Sequence, residues 1–94
     1  MTVEEFTASL NLVVPPKGLS PAVQSLWLDG KGDWKAAHEI VDDLEDAESM
    51  WVHAYLHRKE GDNFNAGYWY KKAGKLFSKA PLEIEWETIL MTLL

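Results

Sequence analysis

The chain has no cysteine. Disulfides, thiolate metal sites and a cysteine nucleophile are thereby excluded, and the composition suits a reducing compartment. No stretch approaches the roughly 20 apolar residues that a membrane span requires. The opening residues, "MTVEEFTASLNLVVPP", carry acids where a secretory leader would carry basic groups, so the expectation is a soluble cytoplasmic protein without a leader and with no membrane partner. Enzyme signatures are missing too. "GKGD" lacks the preceding strand and third glycine of a dinucleotide loop, and neither G-x4-G-K-[ST] nor G-x-S-x-G occurs. No catalytic residue and no cofactor is assigned from motifs, and an enzyme is the less favoured class.

What the chain does have is apolar mass. Its 94 residues are 47% hydrophobic and include five Trp, which places it among packed globules rather than disordered chains. A domain of this length buries about 60 to 65% of its unfolded surface, so a single core with modest stability is expected. The net charge of −6 is uneven. Residues 1–50 hold three Lys (Lys17, Lys31, Lys35) against ten acids, whereas residues 51–94 hold six basic groups against five acids. Such a dipole suits head-to-tail self-association or a basic partner, although a solvated acidic face explains it equally simply.

Helix punctuation divides the chain. Ser20 as N-cap and Pro21 at the first helical position open a helix that Gly30 and Gly32 stop. Asp33 can cap the next, "WKAAHEIVDDLED", in which Trp34, Ala37, Ile40, Val41 and Leu44 recur at helical spacing. Asp46 can cap a third, ended by Gly61, and Asp62 or Asn63 restarts a fourth that runs through Lys79. Pro81 opens a fifth with Leu82, Trp86, Ile89, Leu90 and Leu93 on one face. Residues 1–17 read as an extended arm laying Leu10, Leu12 and Val13 or Val14 on the bundle. The expected fold is all-α and a single domain: the arm, a helical hairpin over 18–46, a second over 47–80, and a capping C-terminal helix over 81–94.

The two hairpins are related. An offset of 29 places Gly32-Asp33 over Gly61-Asp62, Ala37 over Ala66, Val41 over Tyr70 and Leu44 over Ala73. A small residue followed four later by a large one resembles the second helix of the tetratricopeptide repeat, with its A-x3-F pattern. The first helices depart from that family, with Pro21, Gln24, Ser25 and Leu28 in one copy and Met50, His53, Ala54 and His57 in the other. The resemblance implies a five-helix bundle of tetratricopeptide-like hairpins whose business is binding a protein partner or a second copy of itself. "VHAYLHRKEGDNFNAGYWY" is also similar to a family of small uncharacterised bacterial and fungal proteins with a VHAYLHRKEGD-x2-NA-x-YWY motif. That likeness implies a helical fold and assigns no activity.

Three groups of residues offer chemistry. Trp51, Tyr55, Arg58 and Lys59 are expected on the exposed side of their helix, where aromatic and Arg side chains make binding hot spots; Trp51 tucked beneath the N-terminal arm is the structural alternative. His53 and His57 are four apart and share a helix face, and His38 on the preceding helix can meet it, with Trp69 nearby. These histidines read first as interhelix groups bonded to Tyr hydroxyls, carboxylates or carbonyls. A small-molecule or metal site is the alternative, and it would need all three imidazoles and a carboxylate such as Asp42 or Glu60. Lastly, Tyr68 heads a basic series of Lys71, Lys72, Lys75 and Lys79. The acidic pI of about 4.9 and the absence of any RNA-binding fingerprint set nucleic acid aside as a partner.

Overall fold

The computed structural model describes all of residues 1–94 and is entirely helical outside its loops. Six helices follow in order: α1 (Val3–Ser9), α2 (Pro21–Gly30), α3 (Trp34–Val41), α4 (Ala47–Lys59), α5 (Asn63–Ala73) and α6 (Leu82–Leu93). Its radius of gyration of 12.2 Å is that of a tightly packed chain of this length. No helix is long and apolar enough to cross a membrane.

Capping chemistry sets the helix starts. The Ser20, Asp33, Asp46 and Asp62 side chains accept from the backbone N–H groups of Val23, Ala36, Ser49 and Asn65, three residues on in each case. These bonds favour the ionised carboxylate and hold Asp46 below the ordinary Asp range; at Asp62 the Asn65 side chain lowers the value most, followed by the Asn65 backbone. The Gly-Asp turns repeat bond for bond. Asp33 N–H reaches Leu28 O at 3.0 Å and Asp62 N–H reaches His57 O at 2.9 Å, while Gly32 and Gly61 take φ of 85° and 91°. Ala37 and Ala66 are both fully buried, as are their large successors Val41 and Tyr70.

Three expectations are corrected. The N-terminal arm is not extended: Thr2 and Glu5 form a reciprocal capping box that nucleates α1, so the bundle has six helices rather than five. Phe6 enters the core from α1, leaving Leu12, Val13 and Val14 exposed; Leu10 alone of the predicted set packs, against Gly30. Next, α3 stops at Val41, and Asp42–Asp46 forms the turn into α4. Finally, α5 ends at Ala73 because Gly74 adopts the left-handed C-cap conformation at φ 73°, which takes Lys75 to Lys79 off the helix. Phe77 therefore meets the Tyr70 ring from a loop, at 5.0 Å between centroids.

The core is assembled around α4. Val52 to Leu56 are five consecutive buried residues, a pattern that only a helix surrounded on all sides can satisfy. Leu26 and Trp27 of α2, Val41 of α3, and Ile89 and Leu90 of α6 close around it. Three tryptophans combine apolar bulk with a satisfied indole N–H: Trp27 donates to Ser9 Oγ (3.1 Å), Trp34 to Leu56 O (2.8 Å) and Trp86 to Leu26 O (3.0 Å). The expected apolar face of α6 is the face that packs, with Leu82, Trp86 and Leu93 flanking Ile89 and Leu90.

Two glycines within helices serve different ends. A Cβ at Gly30 would meet Leu10 Cδ2 at 3.0 Å and Trp86 Cζ2 at 3.3 Å, so this position needs its hydrogen for α1 and α6 to approach. At Gly67 a Cβ would meet only Phe77, at 4.0 Å, so no close approach requires the glycine. Gly67→Ala is accordingly expected to stabilise the protein by about 0.5–1 kcal/mol, and Gly30→Ala to destabilise it. Urea midpoints at unchanged m-value decide both signs.

Candidate metal centre

The folding of α3 against α4 brings the three histidines together. His53, at 1% exposure, lies at the bottom of the group, with His38 and His57 half-buried above it. The ring centroids are 4.8 Å apart for His38 and His53, 5.1 Å for His38 and His57, and 4.9 Å for His53 and His57. One ligating nitrogen from each falls within 4.8 Å of the others. The closest approach is His38 Nε2 to His53 Nε2, at 3.1 Å.

Two indoles bracket this cluster. Trp34 stacks on His38 (4.9 Å between centroids, 7° between planes), and Trp69 stacks on His53 (4.1 Å, 19°). Trp34 is fixed by its bond to Leu56 O, and Trp69 lies under the Lys72 ammonium at 5.2 Å. The imidazole orientations are thus set by rigid partners on both flanks. Trp34 precedes His38 by four residues on α3, a helical stacking interval that marks it in the sequence.

The electrostatics favour a neutral imidazole at His53. Burial first, then the proximity of His38 and of His57, together push the His53 pKa down to about 4, with Asp42 opposing. His57 is oriented by Glu60, whose Oε2 lies 2.6 Å from Nδ1. A proton on Nδ1 donated to that carboxylate leaves the Nε2 lone pair facing away from it, the arrangement that metal-ligating histidines adopt. Of the two His53 nitrogens, Nε2 contacts His38 and Nδ1 is buried without a partner. The sequence-based expectation that these rings bond to tyrosines, carboxylates or carbonyls is met at His57; at His38 and His53 the close partner is another imidazole.

The other nominated residues lie elsewhere. Tyr55 and Arg58 are not on an exposed face. Tyr55 is 2% exposed and donates to Asp29 Oδ2 at 2.6 Å; Arg58 donates to Glu85 Oε1 at 2.8 Å and to Ala80 O. Burial first, then the bonds to Asp29 and Glu85, raises the Tyr55 and Tyr70 pKa values far above the ordinary tyrosine range. Trp51 is covered not by the arm but by Lys75, whose ammonium sits 4.2 Å from its ring centroid. The basic series is dispersed as well: Lys72 lies over Tyr68 and Trp69, while Lys75 turns to Trp51. The largest cavity, about 400 Å³, lies beside Asp29, Tyr55, Lys59 and Trp86, and none of the four cavities is lined by His38, His53 or His57.

Comparison with known proteins finds no matching family model, no matching curated protein and no matching solved structure.

His53 has a pKa of about 4 when folded and its ordinary 6.5 when unfolded. Between about pH 6.5 and pH 4 the unfolded chain therefore binds more protons than the folded one. This contribution is fully present above pH 6.5 and is lost as the pH falls towards 4, at up to about 1.4 kcal/mol per pH unit. Urea unfolding across that range, with His53→Gln as the reference, is expected to show a steeper loss of stability in the native protein than in the variant, both sharing the smaller slope of the capping carboxylates. Proton NMR is expected to show the His53 ring titrating well below pH 6.

Proposed function

We propose that the protein binds a divalent transition-metal ion of the zinc type through His38, His53 and His57. The observation that carries this reading is the convergence of three ring nitrogens within 4.8 Å, with two of them 3.1 Å apart. Two imidazoles bound to one tetrahedral zinc at 2.0–2.1 Å place their nitrogens about 3.3 Å apart, so only a small adjustment admits an ion between them. Imidazole donors suit zinc, nickel and copper, and they do not suit the oxygen-seeking magnesium and calcium. The depressed pKa of His53 keeps its lone pair free of a proton at neutral pH. Since no cavity opens onto the histidines, ion binding fits better than catalysis on an organic substrate.

A second reading is a protein-interaction or self-association module of tetratricopeptide-like type, working in the cytoplasm. The recurrent Gly-Asp turns support it, as do exposed apolar residues such as Phe64, at 90% exposure, and Leu76, at 94%. It draws no support from Tyr55 and Arg58, whose polar groups are engaged inside the bundle.

Zinc titration of the metal-free protein is expected to saturate at one ion per chain and to raise the melting temperature. At a free zinc concentration a hundredfold above Kd the gain is about 2.7 kcal/mol, or roughly 10 °C or more for a domain of this size. Replacing His38, His53 or His57 singly by Ala should abolish stoichiometric binding. Unchanged melting in zinc, nickel and copper alike would rule the reading out.

A further inference from the structure

Three carboxylates lie near the histidine cluster, and their hydrogen bonds separate them. Asp62 is occupied as the N-cap of α5: Oδ1 accepts from Asn65 N–H at 3.1 Å and Oδ2 from the Asn65 side chain at 2.7 Å. Glu60 is bound to His57 Nδ1, on the side of the ring opposite the free Nε2. Asp42 accepts no hydrogen bond from the protein, and its only close polar contact is Oδ1 to His38 Nε2 at 3.7 Å. That nitrogen is the one that also faces His53 Nε2. A carboxylate oxygen and an imidazole nitrogen on one tetrahedral ion lie about 3.3 Å apart. Asp42 is near that spacing from His38, but it is not among the groups whose ligand atoms already lie within 4.8 Å of one another. Its exposed side chain must therefore rotate toward His53 and His57 to join them.

The backbone position of Asp42 is a second, independent observation. Asp42 is the C-cap of α3 and is followed by Asp43, so two acids sit at the negative end of the helix dipole, where cations are favoured. The basic group in the last turn of α3 is His38 alone. A divalent ion held at Asp42 would supply the missing positive charge.

We infer that Asp42 is the fourth ligand of the ion, so that His38 and Asp42 from α3 and His53 and His57 from α4 close a tetrahedral shell. This rests on the three-histidine reading and extends it. Each helix contributes an i, i+4 pair, and the ion staples the C-terminal end of α3 to the middle of α4. A shell filled by four protein groups has no position for substrate, which makes the centre structural or ion-sensing. Glu60 remains outside the shell as the group that orients His57.

Cobalt(II) serves as a spectroscopic stand-in for zinc in the test. The native protein, Asp42→Asn and Glu60→Gln are each titrated with Co2+, following the visible ligand-field bands, with far-UV circular dichroism to verify the fold. Asp42 is 64% exposed, so its variant should fold. Expected are one tightly bound ion in the native protein, affinity reduced about 100-fold with shifted bands in Asp42→Asn, and a roughly tenfold loss without a band shift in Glu60→Gln. If Asp42→Asn keeps native bands and affinity, or if the bands move in Glu60→Gln instead, Asp42 is not a ligand, while the three-histidine site stands. If the folded native protein binds no Co2+ and no Zn2+, both the site and its fourth ligand are overturned.

Discussion

Where a helix is enclosed on every side its polar side chains meet little water, and α4 carries the buried His53 and Tyr55 and the mostly buried Arg58 into such a position. Each must find its partner in a neighbouring helix or remain unsatisfied at a cost of about 1–3 kcal/mol. The arrangement of the bundle follows from meeting that demand. On one side, Asp29 of α2, 4% exposed, accepts from Tyr55 and from Lys59 Nζ at 2.8 Å. On the other, Glu85 of α6, also 4% exposed, accepts from Arg58 and from the Tyr70 hydroxyl. The two sets have the same composition: one buried carboxylate, one tyrosine and one cation. The cations come from adjacent residues of α4, so two helices are fixed to it from different directions. Removing Glu85 would strand both the Arg58 charge and the Tyr70 hydroxyl, whereas removing Asp29 would strand the Tyr55 hydroxyl and leave the more exposed Lys59 to water.

The histidine cluster meets the same demand in a third direction, against α3 and α5, without a buried charge. Three imidazoles can share a small volume only if at least one of them is neutral, and the enclosure of His53 ensures this. The flanking indoles supply flat apolar surface rather than hydrogen bonds, which holds the rings in place without occupying their lone pairs. That leaves imidazole nitrogens facing one another, with His38 and His53 able to share one N–H between them, an arrangement that also suits a cation.

Local chemistry was legible in the sequence; long-range polar pairing was not. The caps at Ser20, Asp33, Asp46 and Asp62, the Gly-Asp turns at an offset of 29 and the apolar face of α6 are all written within a few residues of where they act. The Thr2 and Glu5 capping box was equally local, but the prolines and valines downstream suggested an extended arm. Gly74 was visible as a glycine, whereas the left-handed cap it forms depends on the bond from Lys75 N–H to Tyr70 O. Tyr55 and Arg58 looked like surface residues because their partners, Asp29 and Glu85, are 26 and 27 positions away. The pairing of His53 with His57 follows from helical spacing, but the arrival of His38 depends on how α3 crosses α4. Nothing local encodes that crossing.

The placement of Arg58 and Lys59 also fixes the rotation of α4. Successive residues on a helix are about 100° apart in azimuth, so the two side chains sweep different sectors and each reaches its own carboxylate. Turning the helix to improve one ion pair would withdraw the other cation from its partner. Two tethers of this kind leave a single angular setting, and that setting also fixes which way His53, about one and a half turns before them, and His57, less than one turn before them, present their rings. The aim of the histidines is therefore decided by two carboxylates that never touch them.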